Sequence, residues 1–184
     1  MPPRNLFSDK FEVANKYRQY VQKGYARIWM LRRLKRLGAN HAELLDVYYK
    51  QIRCVLELAV VVWTPGLTQA ESYQLERVQK CALHVILGDD YESYNQATRI
   101  LSVEKLHDRR LKLISSFAKK CEKNMKYSKW FKLSENSTPM NIQTRGNKSQ
   151  NTKYAPVPAR TERYKKSPLP FMTELLNEYY ASKK

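Results

Sequence analysis

The stretch Leu75–Tyr94 reads LERVQKCALHVILGDDYESY, and the rest of the chain is organised around it. Apolar side chains fall at Leu75, Val78, Ala82, Leu83 and Ile86, with Gln79 as the one polar interruption. That i, i+3, i+7, i+8, i+11 spacing marks one face of a helix. Arg77, Lys80 and His84 fall on the other side. Gly88 stands where a helix end calls for a residue with φ > 0. The spacing predicts a helix with one buried face that stops at Gly88 and is followed by an acidic turn, Asp89–Asp90.

Composition agrees with a helical reading. The chain has 184 residues, 42% of them hydrophobic, enough for one modest domain or a helical domain plus a tail. Five glycines are few for an all-β chain. Leu, Lys, Arg, Glu and Ala are good helix formers and are plentiful. The expected fold is mainly α: a small irregular helical bundle with a disordered or extended basic C-terminal segment and a short terminal helix. The net charge of +17 favours polyanionic partners, nucleic acid first and an acidic membrane surface second. Cys54, Cys81 and Cys121 are widely spaced, odd in number and free of any CxxC pair. That argues against a disulfide framework and for a reducing compartment, nuclear or cytoplasmic. The first residues lack the apolar core of a signal peptide. The most apolar run, Leu58–Trp63, is too short to cross a bilayer, so no membrane partner is expected.

Upstream of the central helix, residues 1–20 carry little pattern, and Pro2 and Pro3 discourage an early helix. They are left unassigned, with disorder expected up to about residue 15. From Lys16 to Arg36 there are eight basic residues and no acidic one. Ile28, Leu31, Leu34 and Leu37 form a narrow apolar stripe within that run, and Gly38 stops it. A solvated outer face explains such a helix, and so does contact with a phosphate backbone. Arg27, Arg32, Arg33, Lys35 and Arg36 are the candidate contacts. Asn40 and Glu43 have the spacing of a capping box. They open an expected helix from His41 through Trp63, buried through Leu44, Leu45, Val47, Tyr48, Ile52, Val55, Leu56, Ala59 and Val62. Its last two turns are apolar all round, which predicts a deeply buried end. Thr64-Pro65-Gly66 breaks it, and Thr68-x-x-Glu71 caps the central helix.

Downstream, Ser93-x-x-Gln96 predicts a short helix ending near Leu101. Ser102 is read as the cap of a long one, Val103 to about Lys123, with the stripe Leu106, Leu113, Ile114, Phe117 and Cys121. Arg109, Lys112, Lys119 and Lys123 face outward on that reading. The helical domain is expected to span residues 21–124. Residues 125–168 form a polar, basic, flexible segment, and 169–184 form a terminal amphipathic helix and tail. Within the polar segment, Arg160, Arg163, Tyr164, Lys165 and Lys166 interleave an aromatic with cations on an expected extended strand. That pattern suits single-stranded nucleic acid, and a solvated tail suits it as well.

Five segments occur in an order that has a parallel elsewhere: LRRLKRLG at Leu31, CVLELAVVVWTPGLT at Cys54, QLERVQKCALHVILGDDYESYNQA at Gln74, LSVEKLHDRRLKLISSFAKKC at Leu101 and RTERYKKSPLPFMTELLN at Arg160. From about Val21 to Asn177 the chain resembles the C-terminal part of reverse-transcriptase polyproteins of non-LTR (LINE-type, jockey-like) retrotransposons. LERVQK and RYKxSxxP are the most distinctive pieces. The resemblance implies the thumb and helical linker behind the polymerase palm, residues that help hold template and primer without performing the chemistry. The family's catalytic motif resembles F/Y-x-D-D between palm strands, and these residues do not contain it. Leu58 and Val61 stand where relatives often have an aromatic and a proline. Polymerase domains of a parent element would be natural partners.

Other chemistry is weakly supported. Asp89–Asp90 follows a helix exit and not a strand, so a turn explains the pair better than a metal site. Cys81-x-x-His84 would need two more zinc ligands from Cys54, His107, Cys121 and His41, none of which has metal-like spacing. A Cys–His nucleophile would need an orienting third group, which cannot be identified. No phosphate-binding glycine loop or nucleophile elbow occurs. The sequence therefore predicts no cofactor, no metal, no small-molecule substrate and no catalytic residue. It predicts at most a sequence-tolerant RNA- or DNA-binding module, derived from a retrotransposon and lacking its palm. The alternatives are a protein-interaction module, or a transposon remnant with no selected function.

Overall fold

The computed structural model describes residues 8–134 and 153–183, without the side chains of residues 8–16 and of Arg163. The protein is mainly helical, and among the described residues β pairing is limited to one isolated antiparallel bridge, Leu133–Tyr154. No helix among them is long and apolar enough to cross a membrane. The chain divides into two compact units, Met1–Lys112 and Leu113–Lys184.

The N-terminal unit is built on two long helices, α1 (Ser8–Arg36) and a later helix that starts at the predicted capping box. α1 begins earlier than the sequence pattern implied, at Ser8 rather than near Lys16. Neither proline nor glycine interrupts residues 8–23, so nothing stops the helix from extending backward. The expected disorder of residues 1–7 lies outside the described residues. The buried stripe of α1 also differs from the expected one. Tyr17, Val21, Gly24, Ile28 and Leu31 are buried, whereas Leu37 is 75% exposed. Steps of four and three give this helix a seam running along most of its length. At its end, Gly38 has φ 88°, its N–H donates to the Lys35 carbonyl, and the Ala39 N–H donates to the Leu34 carbonyl. This is a Schellman stop.

Asn40 caps α2 (His41–Val47) in the reciprocal box with Glu43. The expected continuous helix to Trp63 is not formed. A π-helical turn, Tyr48–Arg53, leads to α3 (Cys54–Leu56), and a break precedes α4 (Val60–Trp63). The buried positions explain the wide turn: Leu44, Tyr48, Ile52, Leu56 and Val60 recur every fourth residue. In a regular α-helix each such step drifts roughly 40° around the axis. The π turn widens the repeat and keeps the stripe inward. Ala59 then adopts the left-handed conformation, φ 52°, and the Trp63 indole N–H donates to the Leu58 carbonyl at 2.7 Å. Three successive β-branched valines after Ala59 hold helix poorly, which suits a break here. In consequence Leu58 and Val62, expected to be deeply buried, are exposed, as is Ala59.

Thr68 and Glu71 cap α5 (Gln69–Leu87) reciprocally, and its buried face contains Leu75, Val78, Ala82, Leu83 and Ile86 as predicted. Gln79 is fully buried because its amide donates to the Glu104 carbonyl at 2.8 Å. α5 packs on α1, α2 and α6 (Tyr94–Ile100), the last capped by Ser93. Ser102 does not cap the next helix. It has φ 50° and occupies the left-handed position of a Schellman stop, with the Val103 N–H on the Thr98 carbonyl. α7 therefore starts at Leu106 and runs to Lys123. Its first turn is capped from another element: the Glu76 carboxylate on α5 accepts from the His107 N–H and from the Tyr94 hydroxyl. A carboxylate there also complements the positive helix end. Arg110 completes the buried stripe of α7 within this unit. Its Nη2 donates to Ser72 Oγ at 2.6 Å and its guanidinium lies 6.0 Å from the Trp63 ring. Arg109, expected to face out, shares Glu57 with Arg53.

In the C-terminal unit, the later part of α7 buries Ile114, Ala118 and Cys121, and Phe117 is exposed instead of buried. The compositional break at residue 124 is not the structural one, because Glu122 of α7 gathers the chain that follows. Its carboxylate accepts from Lys153 Nζ at 2.8 Å, from the Tyr180 hydroxyl at 2.8 Å and from the Tyr154 hydroxyl. Asn177 pairs with the Tyr154 backbone in both directions, at 2.9 and 3.0 Å. Phe131 and Tyr154 are buried, so parts of the segment expected to be flexible are packed. Its middle, residues 135–152, lies outside the described residues. Residues 162–165 are not extended but form a one-turn helix, α8 (Glu162–Lys165), capped by Thr161. The terminal helix α9 (Pro168–Ala181) starts at the expected place, next to residue 169, and buries Met172, Thr173 and Leu176.

Candidate nucleic-acid interface

The acid-free run of α1 lies beside α5, and the contacts between them fix their direction. A side chain added at Gly24 would meet Val78, Tyr25 lies near enough to Cys81 to feel its charge, and Lys35 reaches Val85 and Ile86. Positions advance together along both helices, so α1 and α5 run parallel. Two parallel helices bring two negative carbonyl ends to the same side. Lys35 answers that problem. Its Nζ donates to the Val85 carbonyl at 2.9 Å and to the Ile86 carbonyl at 3.1 Å, carbonyls in the last turn of α5. Arg27 donates to the Gln51 carbonyl in the π turn.

The five α1 candidates thus separate. Arg27 and Lys35 are half-buried and committed to backbone carbonyls, whereas Arg32, Arg33 and Arg36 are exposed. Lys35→Met is expected to destabilise the N-terminal unit by about 1 kcal/mol through loss of the α5 cap. The same variant should leave the salt dependence of nucleic-acid binding unchanged, and a urea titration beside a binding titration checks both.

Between the exposed side of α1 and α5 lies an open depression of about 240 Å³ lined by Arg32, Lys80, Cys81, His84, Val85 and Tyr91. None of the six is acidic. The Lys80 ammonium stands 4.8 Å from the Tyr73 ring centre and 5.1 Å from that of Tyr94. The His84 and Tyr91 rings meet edge to face at 4.9 Å. Burial raises the Tyr25 hydroxyl pKa, as does Cys81, and the nearby Arg77 guanidinium opposes them. Burial also raises that of Tyr91. These phenols stay neutral at physiological pH and add no negative charge to the face.

No protein-family model, curated protein or solved structure matches the chain. The chemistry must be read from the surface itself.

The second set of candidates lies in the C-terminal unit. Arg160, Tyr164, Lys165 and Lys166 are exposed on and around α8, and Arg163 lies within that helix. Folding into a helical turn separates them from the extended spacing expected of them. Asp89 and Asp90 form a 3₁₀ turn with Gly88 at the α5 exit, both exposed. Among the described residues, no three His, Cys, Asp or Glu side chains converge on a metal-sized site. Sequence reasoning missed Tyr73, Lys80 and Tyr91 as members of the face. The signal was present: Tyr73, Arg77, Lys80 and His84 are spaced i, i+4, i+7, i+11 on the side of α5 opposite its apolar stripe.

Proposed function

We propose that the protein is a sequence-tolerant RNA- or DNA-binding helical module. In this reading it derives from the region behind the palm of a non-LTR retrotransposon reverse transcriptase. It has no polymerase activity of its own and acts within the nucleus or cytoplasm. The observation that carries the binding is a depression without acidic lining to which α1 contributes Arg32 and α5 contributes Lys80, with Arg36 and Arg77 exposed on the same two helices. Cations so placed exchange counterions for phosphates, and binding then weakens with salt. The origin rests on the order of the five sequence segments.

The test is affinity for mixed-sequence oligonucleotides over a salt range. The expected slope of log K against log salt is near −0.7 per phosphate for single strands and −0.9 for duplex, with little dependence on sequence. Affinity that does not fall with salt would overturn the reading. Primer extension with Mg²⁺ should show no incorporation.

Leu58 and Val62, 56% and 60% exposed beside the Ala59 break, favour a second reading as a docking module for polymerase domains. Co-purification with a palm-containing protein, abolished by Leu58→Asp, would support it.

A further inference from the structure

On α1, Tyr25, Trp29, Arg32 and Arg36 follow one another at i, i+4, i+7, i+11, and on α5 Tyr73, Arg77, Lys80 and His84 do the same. Residues so spaced form a ridge along a helix. Each ridge starts with aromatic side chains, two on α1 and one on α5, and continues with two cations. Trp29 is 56% exposed and Tyr73 is 57% exposed, although both lie on helices whose opposite faces are well packed. Neither ring is packed into the core. They are not isolated surface aromatics, because each has cations one and two turns along the same ridge. Lys80 is already held against the Tyr73 ring, and Arg32 borders the depression that separates the ridges.

We propose that this face binds unpaired nucleotides, with bases stacking on Trp29 and Tyr73 and phosphates paired by Arg32, Arg36, Arg77 and Lys80. The inference rests on the nucleic-acid reading above and adds to it the strandedness of the ligand and the residues that sense it. In a duplex the bases stack on one another and present phosphates and groove edges, against which cations suffice and aromatic planes gain little. In a single strand every base offers a free π-face, whatever its identity. Exposed rings with cations one and two turns further along the same ridge therefore fit a single strand and tolerate any sequence. The 2′-hydroxyl is not needed for either contact, so RNA and DNA strands are both accommodated.

The experiment uses the full chain and labelled single-stranded RNA, single-stranded DNA and the matching blunt duplex, titrated by fluorescence anisotropy at several salt concentrations. Trp29→Ala/Tyr73→Ala should weaken single-strand binding roughly tenfold or more. Its salt slope should stay unchanged, and so should its duplex affinity, because no charge is removed. Quenching of tryptophan emission by single strands gives a second readout: it should occur in the native protein and be lost in Trp29→Phe, which retains Trp63, Trp130 and an aromatic at position 29. Equal loss for single strand and duplex, or unchanged single-strand affinity with quenching retained in Trp29→Phe, overturns the inference while salt-sensitive binding leaves the broader reading intact. Absence of salt-sensitive binding to all three probes overturns the broader reading itself.

Discussion

Gly24→Leu is expected to cost the N-terminal unit about 3 kcal/mol or more, because it wedges apart the two helices on which that unit is built. A Cβ at this position would stand 2.9 Å from Val78 Cγ1 and 3.1 Å from Leu56 Cδ2. Both neighbours are fully buried and have no room to turn away. Gly24→Ala separates the two effects in play. Alanine recovers about 1 kcal/mol of helix propensity and incurs strain of about 1–3 kcal/mol. A net loss of about 1 kcal/mol is expected, despite alanine being the better helix former. Thermal melts followed by helical circular dichroism report both, at about 4 °C or more per kcal/mol for a unit of this size. A leucine variant that melts with the native protein would mean that α1 does not approach α5 this closely.

Glu122→Ala should release the C-terminal chain from α7, with a loss of about 2–4 kcal/mol. The substitution removes the acceptor shared by Lys153, Tyr154 and Tyr180, and Tyr154 is buried. Limited proteolysis between residues 153 and 183 should accelerate accordingly. Tyr154 provides a local probe. Burial, followed by the hydrogen bond to Glu122, pushes its hydroxyl pKa up to about 12, so ultraviolet titration should find it ionising earlier in the variant.

The same carboxylate makes the unit sensitive to acid. Burial alone would raise the Glu122 pKa, but hydrogen bonds from Lys153, Tyr154 and Tyr180 and the Lys153 charge outweigh it, and the net shift is downward. The unfolded chain then takes up the proton more readily than the folded one. The stability contributed by Glu122 is complete above the ordinary glutamate value of about 4.3 and disappears as pH falls through the lowered folded value. The urea midpoint of the C-terminal unit should fall between neutral pH and about pH 3. Glu122→Gln should flatten that fall. An equal acid shift in native protein and variant would show that another group is responsible.

The helical class, both capping boxes and the buried face of α5 were legible in the sequence, since each depends on residues within a turn or two of one another. Gly88 was legible for the same reason. What escaped depends on partners distant in the chain. Ser102 looks like an N-cap by identity, yet Glu76 from α5 supplies the cap of α7, and no local spacing announces that contact. Arg110 has no place in the apolar stripe read from the sequence, and its burial depends on Ser72 and Trp63 being brought beside it. The break at Ala59 is written only weakly, in three valines and an apolar repeat of four rather than a mixture of threes and fours. Gly24 inside a helical pattern looks like a weakness and is a contact point.

The candidate site divides in the same manner. Charge alone marked Arg27 and Lys35 along with Arg32, Arg33 and Arg36, because sequence cannot tell a cation facing solvent from one that caps a carbonyl. Lys80 was placed on the polar side of α5 but not joined to the α1 cations, and Tyr73 was passed over, because α5 was read for its apolar face. The extended spacing expected of Arg160–Lys166 was altered by a single turn of helix that Thr161 caps.

The most direct test of the account is the salt slope of single-strand binding in Arg32→Gln/Arg36→Gln/Lys80→Gln compared with the native protein. The variant removes three exposed or half-exposed cations from the α1/α5 face and leaves the Lys35 and Arg27 bonds to backbone carbonyls in place. The slope should become shallower by about 2, at roughly 0.7 per lost phosphate contact, while the thermal melt stays unchanged. An unaltered slope would contradict the account, because the phosphates would then be neutralised by some other part of the chain.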